Sequence, residues 1–137
     1  MKLILIIVLF LSYHISFSQD IKREREIIYC FENQANYDTP PTFKGDSSQI
    51  KKYIQKYLKY PSEAIRANVE GKVYIRFSVS KKGKIDSLDV LKSIGFGCDE
   101  EALRIVKTMQ KWTPAKNKNM FVSSHYVVSV IFKLNKE

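Results

Sequence analysis

Between Gln49 and Lys59 the apolar side chains Ile50, Tyr53, Ile54, Tyr57 and Leu58 stand at i, i+3, i+4, i+7 and i+8. That spacing predicts a helix with one buried stripe. Asp46 suits its N-cap, with Gln49 three residues on in a capping-box-like arrangement. Tyr60-Pro61 breaks the periodicity, and Pro61 fits the first position of a second short helix, Ser62 to Asn68. After Gly71 the period drops to two. Val73, Ile75, Phe77 and Val79 alternate with Lys72, Tyr74, Arg76, Ser78 and Ser80, which predicts a half-buried strand. Lys82-Gly83 turns the chain into a return strand carrying Ile85, Leu88, Val90 and Ile94. The alternation slips by one between Ile85 and Leu88, so a β-bulge is expected near Asp86-Ser87.

A third helix follows. Asp99, Glu100 and Glu101 open it and Lys107 and Lys111 lie near its end, the charge order a helix dipole favours. Ala102, Ile105, Val106 and Met109 form its inner face. Lys116 to Met120 read as a loop, with Asn119 suited to a left-handed turn. The last element is expected to be one long strand, Phe121 to Leu134. Val122, Tyr126, Val128, Val130, Phe132 and Leu134 share one face; Ser123, His125, Val127, Ser129 and Ile131 share the other. The order helix–helix–strand–strand–helix–strand defines an α+β domain from Pro41 onward, residues 41–137. Residues 19–40 read as a tether with one short strand at Ile27 to Phe31.

The N-terminus has a different pattern. Met1-Lys2 precedes nine apolar residues, Leu3 to Leu11, and then Ser12 to Gln19. A basic start, an apolar run and small residues before a polar one are the layout of a secretory signal peptide, here residues 1–18. Leu3 to Phe17 is 15 residues, short of the roughly 20 that a membrane-spanning helix needs. The competing reading is an uncleaved inner-membrane anchor. In that case residues 20–40 would reach at most about 70 Å. Cys30 stands too far beyond the apolar run for a lipoprotein.

Charge divides the chain further. Residues 19–48 carry four Lys/Arg against six Asp/Glu, and residues 49–137 carry 18 against eight. So basic a domain favours anionic surfaces through long-range attraction that salt weakens. For an exported protein these are cell-wall polymers, lipid head groups and acidic protein segments, not nucleic acid. Lys51, Lys52, Lys56 and Lys59 also fit the plain role of a solvated helix face. Export permits a Cys30–Cys98 disulfide without showing that the two meet.

No cofactor or catalytic role is expected. His125 is the one histidine beyond the signal, and the chain has no metal-ligand spacing. Cys98 with His125 would lack a third, orienting group, and Asp99 to Glu101 are better explained by capping. Trp112 fits a core aromatic at the helix–sheet junction better than a partner-contacting one.

Several landmarks fall in one register: Tyr60-Pro61, Gly71 to Val79, Gly83-Lys84-Ile85, Gly97 to Leu103, Trp112-Thr113-Pro114-Ala115 and Phe132-Lys133-Leu134. Together they resemble the C-terminal domain of TonB, in the stand-alone periplasmic form common among energy-transducer TonB-like proteins of Bacteroidetes-type bacteria. The resemblance runs from about Pro41 to Leu134. It implies a three-stranded antiparallel sheet with helices packed on one face, and a structural, buried Cys98.

Functionally the resemblance implies a protein-binding module in TonB-dependent transport. Such a domain grips an extended segment of an outer-membrane transporter or another envelope protein by β-strand addition. The partner-binding residues would be Val122, Ser123, His125, Val127, Ser129 and Ile131 on the final strand. Full TonB also has an inner-membrane anchor and a long Pro-rich spacer, and neither is evident here. A second reading is therefore a non-transducing envelope scaffold, touching peptidoglycan or a partner protein through its basic face. Pairing of the edge in a homodimer stays open.

Overall fold

The computed structural model describes residues 37–46 and 48–134. The signal peptide, the strand expected at Ile27 to Phe31 and Cys30 lie outside the described residues. The elements run β1 (Thr42–Phe43), α1 (Ser48–Tyr57), α2 (Ser62–Arg66), β2 (Gly71–Val79), β3 (Ile85–Lys92), α3 (Cys98–Thr108), β4 (Trp112–Thr113), β5 (Ala115–Asn117), β6 (Met120–Val122) and β7 (Ser124–Phe132). This is the expected α+β order with two small β pairs added.

β2 is the centre of an antiparallel sheet of order β3-β2-β7. Its alternation puts Val73, Ile75, Phe77 and Val79 on one face, joined by Val128, Val130 and Phe132 of β7. Ile50 and Ile54 of α1, Ala64 of α2, and Ala102, Ile105 and Val106 of α3 with Met109 just beyond it complete one apolar cluster, so the helices cover a single face. The bulge is where the slipped alternation puts it. Phe77 pairs with Leu88 and Val79 with Ile85, which leaves one extra residue on β3 at Asp86-Ser87. A second irregularity follows between the Ile75–Val90 and Tyr74–Lys92 pairs.

Acidic residues of α3 tie distant parts together. The Asp99 carboxylate accepts the Ser93 hydroxyl at 2.5 Å and the Ile94 and Gly95 N–H groups at 3.1 Å, which fixes the loop before the helix. The Glu101 carboxylate accepts the Lys59 N–H at 2.7 Å and two bonds from the Arg104 guanidinium. Arg104 also donates to the Tyr57 carbonyl at 3.0 Å, so one orphan carbonyl at the end of α1 and the Lys59 N–H just beyond it are satisfied from α3. Partial burial pushes the Glu101 carboxyl up, but hydrogen bonds from Arg104 and Lys59 outweigh it, and its pKa falls below the ordinary 4.5. A carboxyl depressed in the fold stabilises above its unfolded pKa, and that contribution is lost as pH falls through the folded one. Glu101→Gln should therefore lower the urea midpoint at neutral pH and flatten its decline on acidification below about 4.5, as titrated unfolding curves would show.

The expectation of one strand from Phe121 to Leu134 is corrected. The chain breaks at Ser123. Met120 to Val122 pair back onto Asn117 to Ala115, and only Ser124 to Phe132 join β2. What reads as a loop at Lys116 to Met120 is a hairpin. Its two central residues, Lys118 and Asn119, have φ of 47° and 63°, the left-handed pair that a type I′ turn requires. Upstream, within the stretch expected as tether, Thr39 bridges to Lys116 through both backbone groups at 3.1 and 2.9 Å.

Candidate functional site: an open sheet edge beside a groove

β7 pairs with β2 along its whole length, Gly71–Phe132 to Val79–Ser124, and with no other strand among the described residues. Its second edge keeps alternate backbone N–H and C=O groups available to an extended chain. Nine residues of strand give about 30 Å of such edge.

The edge borders a groove of about 630 Å³. One wall is α1, through Ile50, Lys51, Ile54 and Gln55, with Leu58 just beyond it; the other is β7, from Tyr126 to Ser129 with Ile131. Most of the lining is apolar, with Lys51 on the helix wall and Lys133 just past the end of the strand wall. Burial pushes the Tyr126 phenol pKa up from its ordinary value. The Glu101–Arg104 pair acts on this groove indirectly, because it anchors the end of the helix that forms one wall.

Four of the expected partner-binding residues, His125, Val127, Ser129 and Ile131, share the face of β7 turned away from the helices. His125 and Ile131 are exposed, and Val127 and Ser129 half-buried. Val122 and Ser123 do not belong to this strand: Val122 pairs with Ala115 in the hairpin, and Ser123 is the exposed link. The α1 wall was missed by sequence reasoning. Its only signal was the position of Lys51 and Gln55 beside the apolar stripe of their helix.

The groups considered for chemistry are not brought together. Cys98 is a free, fully buried thiol on the core side of the sheet, and His125 projects from the opposite face. Burial, with Asp99 and Glu100 adding to it, pushes the thiol pKa up, away from a reactive thiolate. Among the described residues no group of three or more His, Cys, Asp or Glu could hold a metal ion, and no helix is long and apolar enough to cross a membrane.

The described residues thus form a small α+β domain with helices on one sheet face and β7 at the sheet border. The family described as "Gram-negative bacterial TonB protein C-terminal" matches residues 56–134, more than half of the sequence, and the chain belongs to it. Domains of this family serve TonB-dependent transport and protein interaction. Two NMR solution structures of the Helicobacter pylori TonB C-terminal domain share the fold, each with a TM-score of 0.51. One is 21% identical and covers 64% of this chain and 79% of its own; the other is 20% identical and covers 66% and 95%. No curated protein matches the chain.

Proposed function

We propose that this protein is a periplasmic binding module that captures an extended segment of an outer-membrane TonB-dependent transporter, or of another envelope protein, as an added strand on β7. The observation that carries this reading is an edge strand that, among the described residues, pairs with β2 on one side only and has a groove along its other flank. The added backbone would supply affinity, and His125, Val127, Ser129 and Ile131 with the α1 wall would select side chains. Lys51 and Lys133 favour a segment with acidic residues. In this reading residues 1–18 are a removed export signal, residues 19–40 a tether, and no catalysis is involved.

Val127→Asp tests it. The side chain points away from the core, so the melting temperature should move by no more than a few degrees. A carboxylate beside the captured strand should weaken partner capture by at least about tenfold, read by titration with a peptide from the transporter's periplasmic segment. Unchanged affinity would contradict the assignment.

The basic face supports a second reading, an envelope scaffold that contacts peptidoglycan or a partner protein without transmitting force. Peptide titration separates the two: saturable capture of the transporter segment favours the binding module, and no capture together with co-sedimentation on peptidoglycan favours the scaffold.

A further inference from the structure

The end of the domain where β2 finishes and β7 begins is marked by the Val79–Ser124 pair. Three basic segments converge there. The turn between β2 and β3 exposes Lys81, Lys82 and Lys84 and packs Gly83 against the Trp112 carbonyl. Beside Trp112, the carbonyl of exposed Lys111 accepts the N–H of Lys44 at 3.2 Å, which places a fourth and fifth lysine nearby. The β5–β6 hairpin, which runs directly into β7, adds Lys116 and the turn residue Lys118.

Directly after its turn the hairpin carries two exposed apolar side chains. Met120 is 67% exposed and its neighbour Phe121 49% exposed. Successive side chains of a strand point to opposite faces, so exposure of both means that neither face of the tip packs on the domain. The ammonium of Lys116 lies 5.0 Å from the Phe121 ring centroid. The acidic groups at this end are mostly engaged: Asp38 accepts the Lys118 N–H at 2.5 Å and Asp46 caps α1, leaving Asp86 exposed on β3.

We infer that this end docks on an anionic phospholipid surface. Met120 and Phe121 enter the boundary between head groups and acyl chains, while Lys116, Lys118 and the turn lysines lie over lipid phosphates. Charge complementarity identifies an anion, and the apolar pair identifies which kind. A soluble polyanion or an acidic peptide would engage the lysines and leave Met120 and Phe121 in water, whereas a bilayer takes up both. The inference is independent of the peptide site, because the hairpin lies outside β7. Docking through it would hold the β7 edge at a fixed height above the membrane.

Protein purified from the periplasm is floated with vesicles of phosphatidylcholine, with and without phosphatidylglycerol. Binding is expected on the anionic vesicles alone, reduced by salt. Lys116→Glu with Lys118→Glu, and separately Met120→Ser with Phe121→Ser, should each weaken it by at least about tenfold at unchanged circular dichroism. Val127→Asp should bind vesicles like the parent, which separates failure of this inference from failure of the peptide site. Equal flotation of the Met120→Ser, Phe121→Ser variant would overturn it and mark the lysines as a general polyanion patch, as would soluble polyglutamate binding that is blind to those two residues. A parent protein that stays unbound on anionic vesicles would overturn it as well.

Discussion

Trp112→Ala is expected to lower stability by about 3–5 kcal/mol, the range for deleting a large core aromatic. Trp112 is 5% exposed and joins three parts of the molecule. Its ring centroid lies 5.5 Å from Phe43 in β1, 5.1 Å from Phe77 in β2 and 5.2 Å from Tyr126 in β7. Its backbone pairs with Phe43, so the side chain closes the β1–β4 pair onto the sheet. Alanine would leave a cavity whose walls are strands, which cannot collapse freely. A domain this size has only about 5–15 kcal/mol in all, so the variant should unfold at far lower denaturant. Trp112→Phe is the informative control. The indole Nε1 is buried without a hydrogen-bond partner, so phenylalanine keeps much of the apolar contact and removes an unsatisfied donor. Its loss should be well under half that of alanine in the same chemical denaturation series. An unchanged midpoint for Trp112→Ala, with partner binding abolished, would turn Trp112 into a contact residue instead.

Gly83→Ala should be about as damaging, for a backbone reason. Gly83 has φ of +74°, and an added Cβ would stand 2.2 Å from the Trp112 carbonyl oxygen and 3.2 Å from its carbon. Neither obstacle is the far end of a flexible side chain. The β2–β3 turn or the β1–β4 pair would have to move, on top of about 1–3 kcal/mol for a non-glycine residue in the left-handed region. The combined loss is expected to be about 3 kcal/mol or more. Gly45→Ala isolates the conformational part: Gly45 has φ of +83° and open space around its Cβ position. If the two variants melt together, the close approach to Trp112 carries no weight. A double variant with Trp112→Ala should show strong non-additivity, since both changes act on one junction.

Much of this fold is legible in the sequence because periodicity is a local property. The stripe of α1, the inner face of α3 and the alternation of β2 each follow from side-chain spacing within one element, and the bulge at Asp86-Ser87 follows from one slipped position. The hairpin break at Ser123 is different. The apolar phase of Val122 resumes at Tyr126 across the Ser123-Ser124-His125 stretch, so spacing alone joins the two segments. The split arises because Met120 to Val122 pair with their immediate neighbours while Ser124 onward pairs with β2, some 50 residues back. Asn119 was legible as a left-handed residue, but only together with Lys118 does it make the two-residue turn that forces the hairpin. The acidic start of α3 was legible as a match to the helix dipole, but the expected capping role is corrected: no side chain caps the helix, and Asp99 instead holds the Ser93 to Gly95 loop. That Glu101 would bind Lys59, 42 residues away, was not legible.

The candidate site divides along the same line. His125, Val127, Ser129 and Ile131 follow from alternation on one strand. The α1 wall depends on how the helix lies against the sheet, which no local pattern encodes. Membership of the TonB C-terminal family ties these pieces together, because Gly83 against Trp112, and Gly97 against Pro61 with 3.2 Å to an added Cβ, are contacts between landmarks of the family resemblance.

Residue-resolved amide hydrogen exchange along Ser124 to Phe132 tests strand addition most directly. In the free protein β2 protects every second amide of β7 and the others face outward, so slow and fast exchange should alternate. A saturating peptide from the transporter's periplasmic segment should slow the fast set selectively, producing continuous protection along the strand. If the peptide binds while those outward amides keep exchanging as before, or if protection appears elsewhere in the domain, the partner does not join the sheet at β7.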